Sequence, residues 1–354
     1  MLRNLVIDTK IINDNEDCYV IAEIGHNHQG ELEKAKHLFR LAQECGVDAV
    51  KLQKRDNRTL YTAAMYNKPY EHRNSFGRTY GEHREFLEFG CAEYRALQAY
   101  ARELGLAFFA TAFDIPSADF LAELEMPAIK IASGDLRNLP LLRHVAHLQR
   151  PILLSTGGGE LADIQRAYDL IMPINPQLCL LQCTAAYPAS AEEMNLRVIA
   201  TLRERFPDVV VGLSDHYNGI SMAPVAYVLG ARVIEKHFTA NHTWRGSDHA
   251  MSLEPIGMAK MVRDLRRTRA ALGHGVKVVF ESEREAVKKM GKSLYAAHDL
   301  PAGRVLSAAD IAIKSPGEGL SPDLLDQVLG RKTLRPLAAD ASITWEVLDG
   351  GALD

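Results

Sequence analysis

The segment 19–53, YVIAEIGHNHQGELEKAKHLFRLAQECGVDAVKLQ, contains one complete structural unit. Its first seven residues, Tyr19–Gly25, are an apolar run rich in β-branched and bulky side chains, as a strand buried on both faces requires. Residues 32–45 carry apolar side chains at helical spacing and stop at Gly46. A second apolar run, Ala49–Gln53, follows at once. A strand, a helix and a second strand in that order imply parallel pairing with the helix as crossover.

Outward from this unit the pattern repeats. Further strand-like runs are AFFATAF at 107–113, AIKIAS at 128–133, PILLST at 151–156, LCLLQCT at 178–184, VVVGLSDH at 209–216 and RVIEKHFT at 232–239. Helix-like spacing fills the gaps at 92–104, 119–124, 141–148, 162–172, 195–206 and 220–229. Eight such units in about 250 residues match the size of a TIM (β/α)8 barrel, an α/β fold. An open doubly wound sheet is the rival, but no GxGxxG follows the first strand, so a dinucleotide site has no support. The preceding segment LVIDTKIINDNED suits a short hairpin closing the N-terminal end of the barrel, and 255–272 reads as a last helix. We therefore expect a barrel domain over 1–275, a charged linker over 276–290, and a small domain of short strands with tight turns over 291–354.

The bulk properties narrow the function classes. Of 354 residues, 47% are hydrophobic and 24% charged, which is ordinary for a globular chain. A formal net charge of −4 gives no overall basic bias toward nucleic acid or membrane. No apolar stretch has the ~18 residues of a membrane span, and the N-terminal residues lack the apolar core of a signal peptide. Five cysteines without a CxxC pair fit reduced thiols in a cytoplasmic protein.

Active sites of TIM barrels lie at the C-terminal ends of the strands. There the sequence concentrates polar side chains that are too costly to bury without a use. Strand by strand they are Glu23, His26 and Asn27; Lys51 and Gln53; Thr111 and Asp114; Lys130, Ser133 and Asp135; Ser155 and Thr156; Gln182, Thr184 and Tyr187; Ser214, Asp215 and His216; and Glu235 and His237. A lone strand-end serine is more often a helix cap, but recurrence on all eight strands is not explained by capping. Lys51 and Lys130 admit two readings: a Schiff-base lysine, or a point charge for a phosphate or carboxylate. The hydroxyls of Ser133 and Ser155 and the amides after Thr156 favour anion binding, because a dianion needs several donors. His216 and His237, ending adjacent strands, suit a divalent metal, and two ligands leave positions for water and a substrate oxygen.

These residues sit in motifs that resemble the sialic acid synthase family. The motifs are IAEIGHNHQG at 21–30, KLQK at 51–54, KIASGD at 130–135, LSTGG at 154–158, QCTAAYP at 182–188, GLSDH at 212–216, EKHFT at 235–239 and GSDHAMSLEP at 246–255. The likeness runs from about Tyr19 to Leu348. It implies a TIM barrel followed by an antifreeze-like (SAF) domain, and condensation of phosphoenolpyruvate with an N-acylmannosamine-type sugar in its open aldehyde form. It implies that His216 and His237 hold Mn²⁺ or Mg²⁺. Lys51, Thr111, Lys130, Ser133, Ser155 and Ser214 would hold phosphoenolpyruvate. Glu23, Asp135, Glu235, Gln53, Tyr187 and Asp248 would orient the sugar and handle protons. It also implies a homodimer in which each small domain serves the partner's barrel.

The chain departs from the bacterial pattern in two places. Lys314-Ser315-Pro316-Gly317 stands where those members have Arg-Pro-Gly, and Ala185 follows the Cys-Thr pair where some have Asn. SFGRTYGEHREFLEF at 75–89 and TWRGSDHAMSLEP at 243–255 look more like the animal branch, which takes the sugar as its 6-phosphate. Arg73, Arg78, Arg84 and Arg245 in these loops are candidates to meet that second phosphate. The alternatives are a synthase for a related nonulosonic acid (KDN 9-phosphate, legionaminic or pseudaminic acid) and, further off, a Schiff-base aldolase using Lys130 or a carbohydrate-binding protein without catalysis.

Overall fold

The computed structural model describes residues 3–351. The chain divides into two compact units, Met1–Gly273 and His274–Asp354.

The first unit is a closed barrel of eight parallel strands, in the order β10-β3-β4-β5-β6-β7-β8-β9. The strands are β3 (Tyr19–Gly25), β4 (Ala49–Lys54), β5 (Ala107–Ala112), β6 (Ile129–Ile131), β7 (Ile152–Ser155), β8 (Leu178–Cys183), β9 (Val210–Asp215) and β10 (Val233–His237). Closure comes from β10 pairing with β3, which sets His237 beside Glu23 in register. Strand residues are buried on both faces, because one face fills the barrel and the other meets the helices. One continuous apolar cluster therefore joins barrel and helices, from Leu5 to Leu265. Each fully buried Leu, Ile or Val contributes roughly 1.5–3 kcal/mol to the folded state.

A hairpin of β1 (Asn4–Ile7) and β2 (Lys10–Asn13) precedes the barrel. Leu5, Ile7 and Ile12 join the main cluster, and Lys10 pairs with Asp48, the residue before β4. The hairpin thus lies against the N-terminal ends of the strands, away from their C-terminal ends.

The expected helices are present, with two differences. The helix after β5 spans Ile115–Glu123, starting earlier than its apolar spacing suggests. Asp114 caps it by accepting from the Ser117 amide at 2.7 Å, and Pro116 occupies its first turn. The long connection after β4 folds into short helices Asn57–Leu60 and Ala63–Tyr66 and a two-turn helix Tyr80–Leu87. A capping box between Thr79 and Glu82 starts the last of these.

The second unit has its own apolar cluster, which includes Leu294, Leu300, Leu306, Val328, Ile343 and Val347. Regular strand is confined to the antiparallel pair β11 (Ser293–Ala296) and β12 (Ile311–Lys314). Isolated bridges such as Leu300 with Leu337 and Thr333 with Leu348 complete the pairing. Within the stretch expected as linker, Arg284–Met290 is helical. Asp310 braces this unit: its carboxylate is buried and accepts from the Ser307 amide and hydroxyl at 2.8 and 2.7 Å and from Arg304.

Candidate active site

The C-terminal ends of the barrel strands open into a cavity of about 540 Å³. Strand alternation explains who lines it. Lys51 and Gln53 leave β4 on one face, as do Glu235 and His237 on β10. Thirteen of the residues expected to hold metal or substrate or to handle protons line the cavity: Glu23, Lys51, Gln53, Thr111, Lys130, Ser133, Ser155, Tyr187, Ser214, His216, Glu235 and His237, and Asp248, which reaches in from the loop beyond β10.

At the floor, charges alternate at short range. Lys51 Nζ lies 2.6 Å from Glu23 Oε2 and donates to Thr111 Oγ1 at 2.7 Å. Glu235 sits between the lysines, 3.7 Å from Lys51 and 3.5 Å from Lys130, and accepts from Ser214 Oγ at 3.1 Å. Burial works to raise the Glu235 carboxyl, but Lys130, Lys51 and both histidines outweigh it and hold the group at about 2. Burial lowers the Lys130 ammonium, with Glu235 opposing. The Ser155 hydroxyl is buried without a hydrogen-bond partner, a donor ready for a ligand oxygen. The Gly157 amide donates to Ser133 Oγ at 3.0 Å, and a Cβ at Gly157 would stand 2.8 Å from that oxygen.

The histidine pair forms the next layer. The rings of His216 and His237 are 5.5 Å apart between centroids, and the exposed Tyr187 ring lies 4.1 Å from His216. His216 Nδ1 donates to the Thr184 carbonyl at 2.9 Å, which fixes the tautomer and leaves Nε2 with a free lone pair. Burial, reinforced by His237, pushes the His216 imidazole down to about 3, so it is neutral at physiological pH, as a metal ligand must be. The buried Nδ1 of His237 has no hydrogen-bond partner and lies 3.9 Å from Asp248 Oδ2. A neutral imidazole with a fixed tautomer and an orphaned imidazole nitrogen beside it fit a divalent cation. Among the described residues no group of three or more His, Cys, Asp or Glu side chains is arranged as a metal cage.

Several expected residues have other partners. Asp135 does not line the cavity; its Oδ1 accepts from Asn138 Nδ2 at 2.9 Å, and burial raises its carboxyl. Gln182 and Thr184 donate to the carbonyls of Met194 and Glu193. Asp215 is buried against Lys236 at 2.9 Å. Asn27 holds the Phe238 carbonyl and Ser252 Oγ, which fastens the loop carrying Asp248. Lys314 pairs with Asp340 within the small unit.

Two charged lining residues were not singled out at the strand ends. Arg55 continues the face of Lys51 and Gln53, and Arg84 reaches in from the helix Tyr80–Leu87. Of the four loop arginines, Arg84 alone lines the cavity; Arg73, Arg78 and Arg245 are exposed, Arg245 over the Phe76 ring. Gly25 lets these walls meet. It has φ +54°, and a Cβ there would lie 3.1 Å from both Gln53 Nε2 and Glu23 Oε1.

Comparison with known proteins agrees with this geometry. Residues 38–277 match the NeuB family and residues 291–349 match the SAF domain. The chain is 39% identical to N-acetylneuraminate-9-phosphate synthase of Homo sapiens, over 96% of this chain and 94% of that protein. It is 35% identical to N,N'-diacetyllegionaminic acid synthase of Legionella pneumophila, over 94% and 95%. A crystal structure of N-acetylneuraminic acid (sialic acid) synthetase from Leptospira borgpetersenii serovar Hardjo-bovis, in complex with citrate, superposes with TM-score 0.71 at 30% identity. That superposition covers 81% of this chain and 96% of the other. A TIM barrel with this strand-end chemistry, followed by a SAF domain, is thus accompanied by similarity along nearly the whole chain, and the protein belongs to the NeuB family of sialic acid synthases.

Proposed function

We propose that this enzyme condenses phosphoenolpyruvate with N-acetylmannosamine or its 6-phosphate, forming a nonulosonic acid and releasing phosphate. The reading rests on the convergence in one cavity of two buried lysines, the unpartnered Ser155 hydroxyl and an adjacent pair of histidines. Lys51, Lys130, Thr111, Ser133, Ser155 and Ser214 bind the phosphate and carboxylate of phosphoenolpyruvate, with the lysines as fixed charges. His216 and His237 would hold Mn²⁺ or Mg²⁺, which supplies polarisation of an aldehyde oxygen and a water of lowered pKa. Asp248, Gln53 and Tyr187 orient the sugar so that its C1 faces C3 of the enol. The C3–C1 bond forms as the aldehyde oxygen gains a proton, and water adds at C2. The C2–oxygen bond to phosphate then breaks. Glu23 and Glu235, set beside the lysines, stabilise the positive charge that develops at C2 and accept the proton of the incoming water.

No imine is needed. Burial lowers the Lys130 ammonium, and Glu235 at 3.5 Å opposes that shift. Among the described residues no helix is long and apolar enough to cross a membrane. The family likeness supports a cytoplasmic homodimer. Sedimentation at twice the 39.2 kDa chain mass is the expected result, and a single-chain mass would contradict it. The activity itself is tested by phosphate release that depends on both a divalent metal and one of these sugars.

A further inference from the structure

The two cavity histidines stand where regular pairing between their strands has just ended. The ladder between β9 and β10 runs Val233 with Gly212, Ile234 with Leu213, Glu235 with Ser214 and Lys236 with Asp215, and stops there. His216 and His237 each follow the last pair by one residue. Each is fastened on its far side. The His216 carbonyl accepts from the Ala189 amide at 3.0 Å, and its ring donates to the Thr184 carbonyl at 2.9 Å, both in the connection after β8. The His237 carbonyl accepts from the Leu253 amide at 2.8 Å, and the next amide, of Phe238, donates to the Glu23 carbonyl of β3 at 2.8 Å. None of these bonds fixes one histidine relative to the other.

A buried ion pair on the opposite face makes that link. Lys236 and Asp215 leave their strands away from the cavity, and both are 1% exposed. The Lys236 ammonium donates to Asp215 Oδ2 at 2.9 Å and also to the Tyr217 carbonyl. Asp215 Oδ1 accepts from the Tyr217 amide at 2.9 Å. One ammonium, carried by the residue before His237, thus holds the residues on both sides of His216. Stability alone does not explain the pair. Taking two charges out of water costs about as much as their attraction returns, and apolar residues of similar volume commonly do as well. An apolar pair, however, has no donors or acceptors with which to hold the Tyr217 amide and carbonyl in place.

We infer that Lys236 and Asp215 are positioning residues that set the spacing and aim of His216 and His237 from behind the barrel wall. This rests on the reading of the two histidines as metal ligands. Neither residue lines the cavity, so both act through the backbone that carries the imidazoles.

The test uses the full-length chain with both residues replaced, Asp215→Leu and Lys236→Met together. Replacing Lys236 alone would leave a buried carboxylate unpaired and endanger the fold, whereas the double variant leaves no charge behind. It should fold with a native circular dichroism spectrum. Its Mn²⁺ affinity, read by electron paramagnetic resonance, should fall about 10- to 100-fold. Binding of phosphoenolpyruvate, measured by calorimetry without metal, should stay as in the native chain. Native Mn²⁺ affinity in the double variant overturns the inference. So does an equal loss of phosphoenolpyruvate binding, or failure to fold, since the pair would then be holding the barrel at large. Should the native chain bind no Mn²⁺, the metal reading fails by itself, and the His216 Nδ1 proton decides the positioning by nuclear magnetic resonance. Protection from exchange that is lost in the double variant upholds it. Equal exchange in the two proteins overturns it.

Discussion

At β10 the period-two alternation of a strand sends Glu235 and His237 into the cavity while Lys236 turns away to Asp215. The same rule made Lys51 with Gln53 legible in the sequence as cavity residues. Carried one step further it points to Arg55, which continues that face just past the end of β4. Asp135 shows the limit of the rule. It follows a three-residue strand in a one-turn helix, where alternation no longer holds, and its carboxylate turns to Asn138. For the histidine pair the consequence is direct. His237→Ala should weaken Mn²⁺ binding roughly 10- to 100-fold and reduce turnover by on the order of 10³-fold. Titration of Mn²⁺ followed by electron paramagnetic resonance checks the first effect without reference to activity. Unchanged Mn²⁺ affinity in that variant would remove His237 from the ligand set.

At the scale of elements, all eight barrel strands were legible because burial on both faces writes a nearly continuous apolar run. The helix Tyr80–Leu87 was not, although it carries Arg84. It is two turns long with little apolar periodicity, and its main local signal is the Thr79 and Glu82 capping box. The small unit was expected to be richer in strand. Its pairing is largely by single bridges, and polar side chains such as Asp310 hold its turns instead. The Ser307 hydroxyl and amide, then Arg304, hold the Asp310 carboxyl at about 2 against burial. A depressed folded-state value means the ionised form stabilises the fold. That stabilisation is present above the unfolded-state value near 4 and is lost as pH falls through about 2. Asp310→Asn should therefore lower the melting transition of the full chain at pH 7 and narrow its gap to the native protein as pH drops from 4 toward 2. A gap that stays constant over that window would contradict the assignment. Calorimetric scans across the window give the answer.

For the whole molecule, the barrel separates its tasks by end. The hairpin of β1 and β2 packs apolar side chains at the N-terminal ends of the strands, and the opposite end gathers buried charge. Composition gave no hint of this, because a net charge of −4 averages a cavity in which lysine, glutamate and arginine are set side by side. The division of labour within the cavity, phosphoenolpyruvate at the lysines and sugar along the histidines and Asp248, depends on contacts between strands far apart in sequence. Motif order conveyed that division through family resemblance, whereas spacing alone left the lysines open between anion binding and imine formation.

Phosphate release from phosphoenolpyruvate is the direct measure of metal-dependent condensation at this cavity. The full-length enzyme is assayed with Mn²⁺ and N-acetylmannosamine, its 6-phosphate, mannose 6-phosphate or a diacetamido hexose, with and without EDTA. Release should require one of these sugars, disappear in EDTA and return with added Mn²⁺. Release undiminished by EDTA, with borohydride trapping of an imine on Lys130, would contradict metal-dependent condensation, and so would sugar binding with no release from any of them.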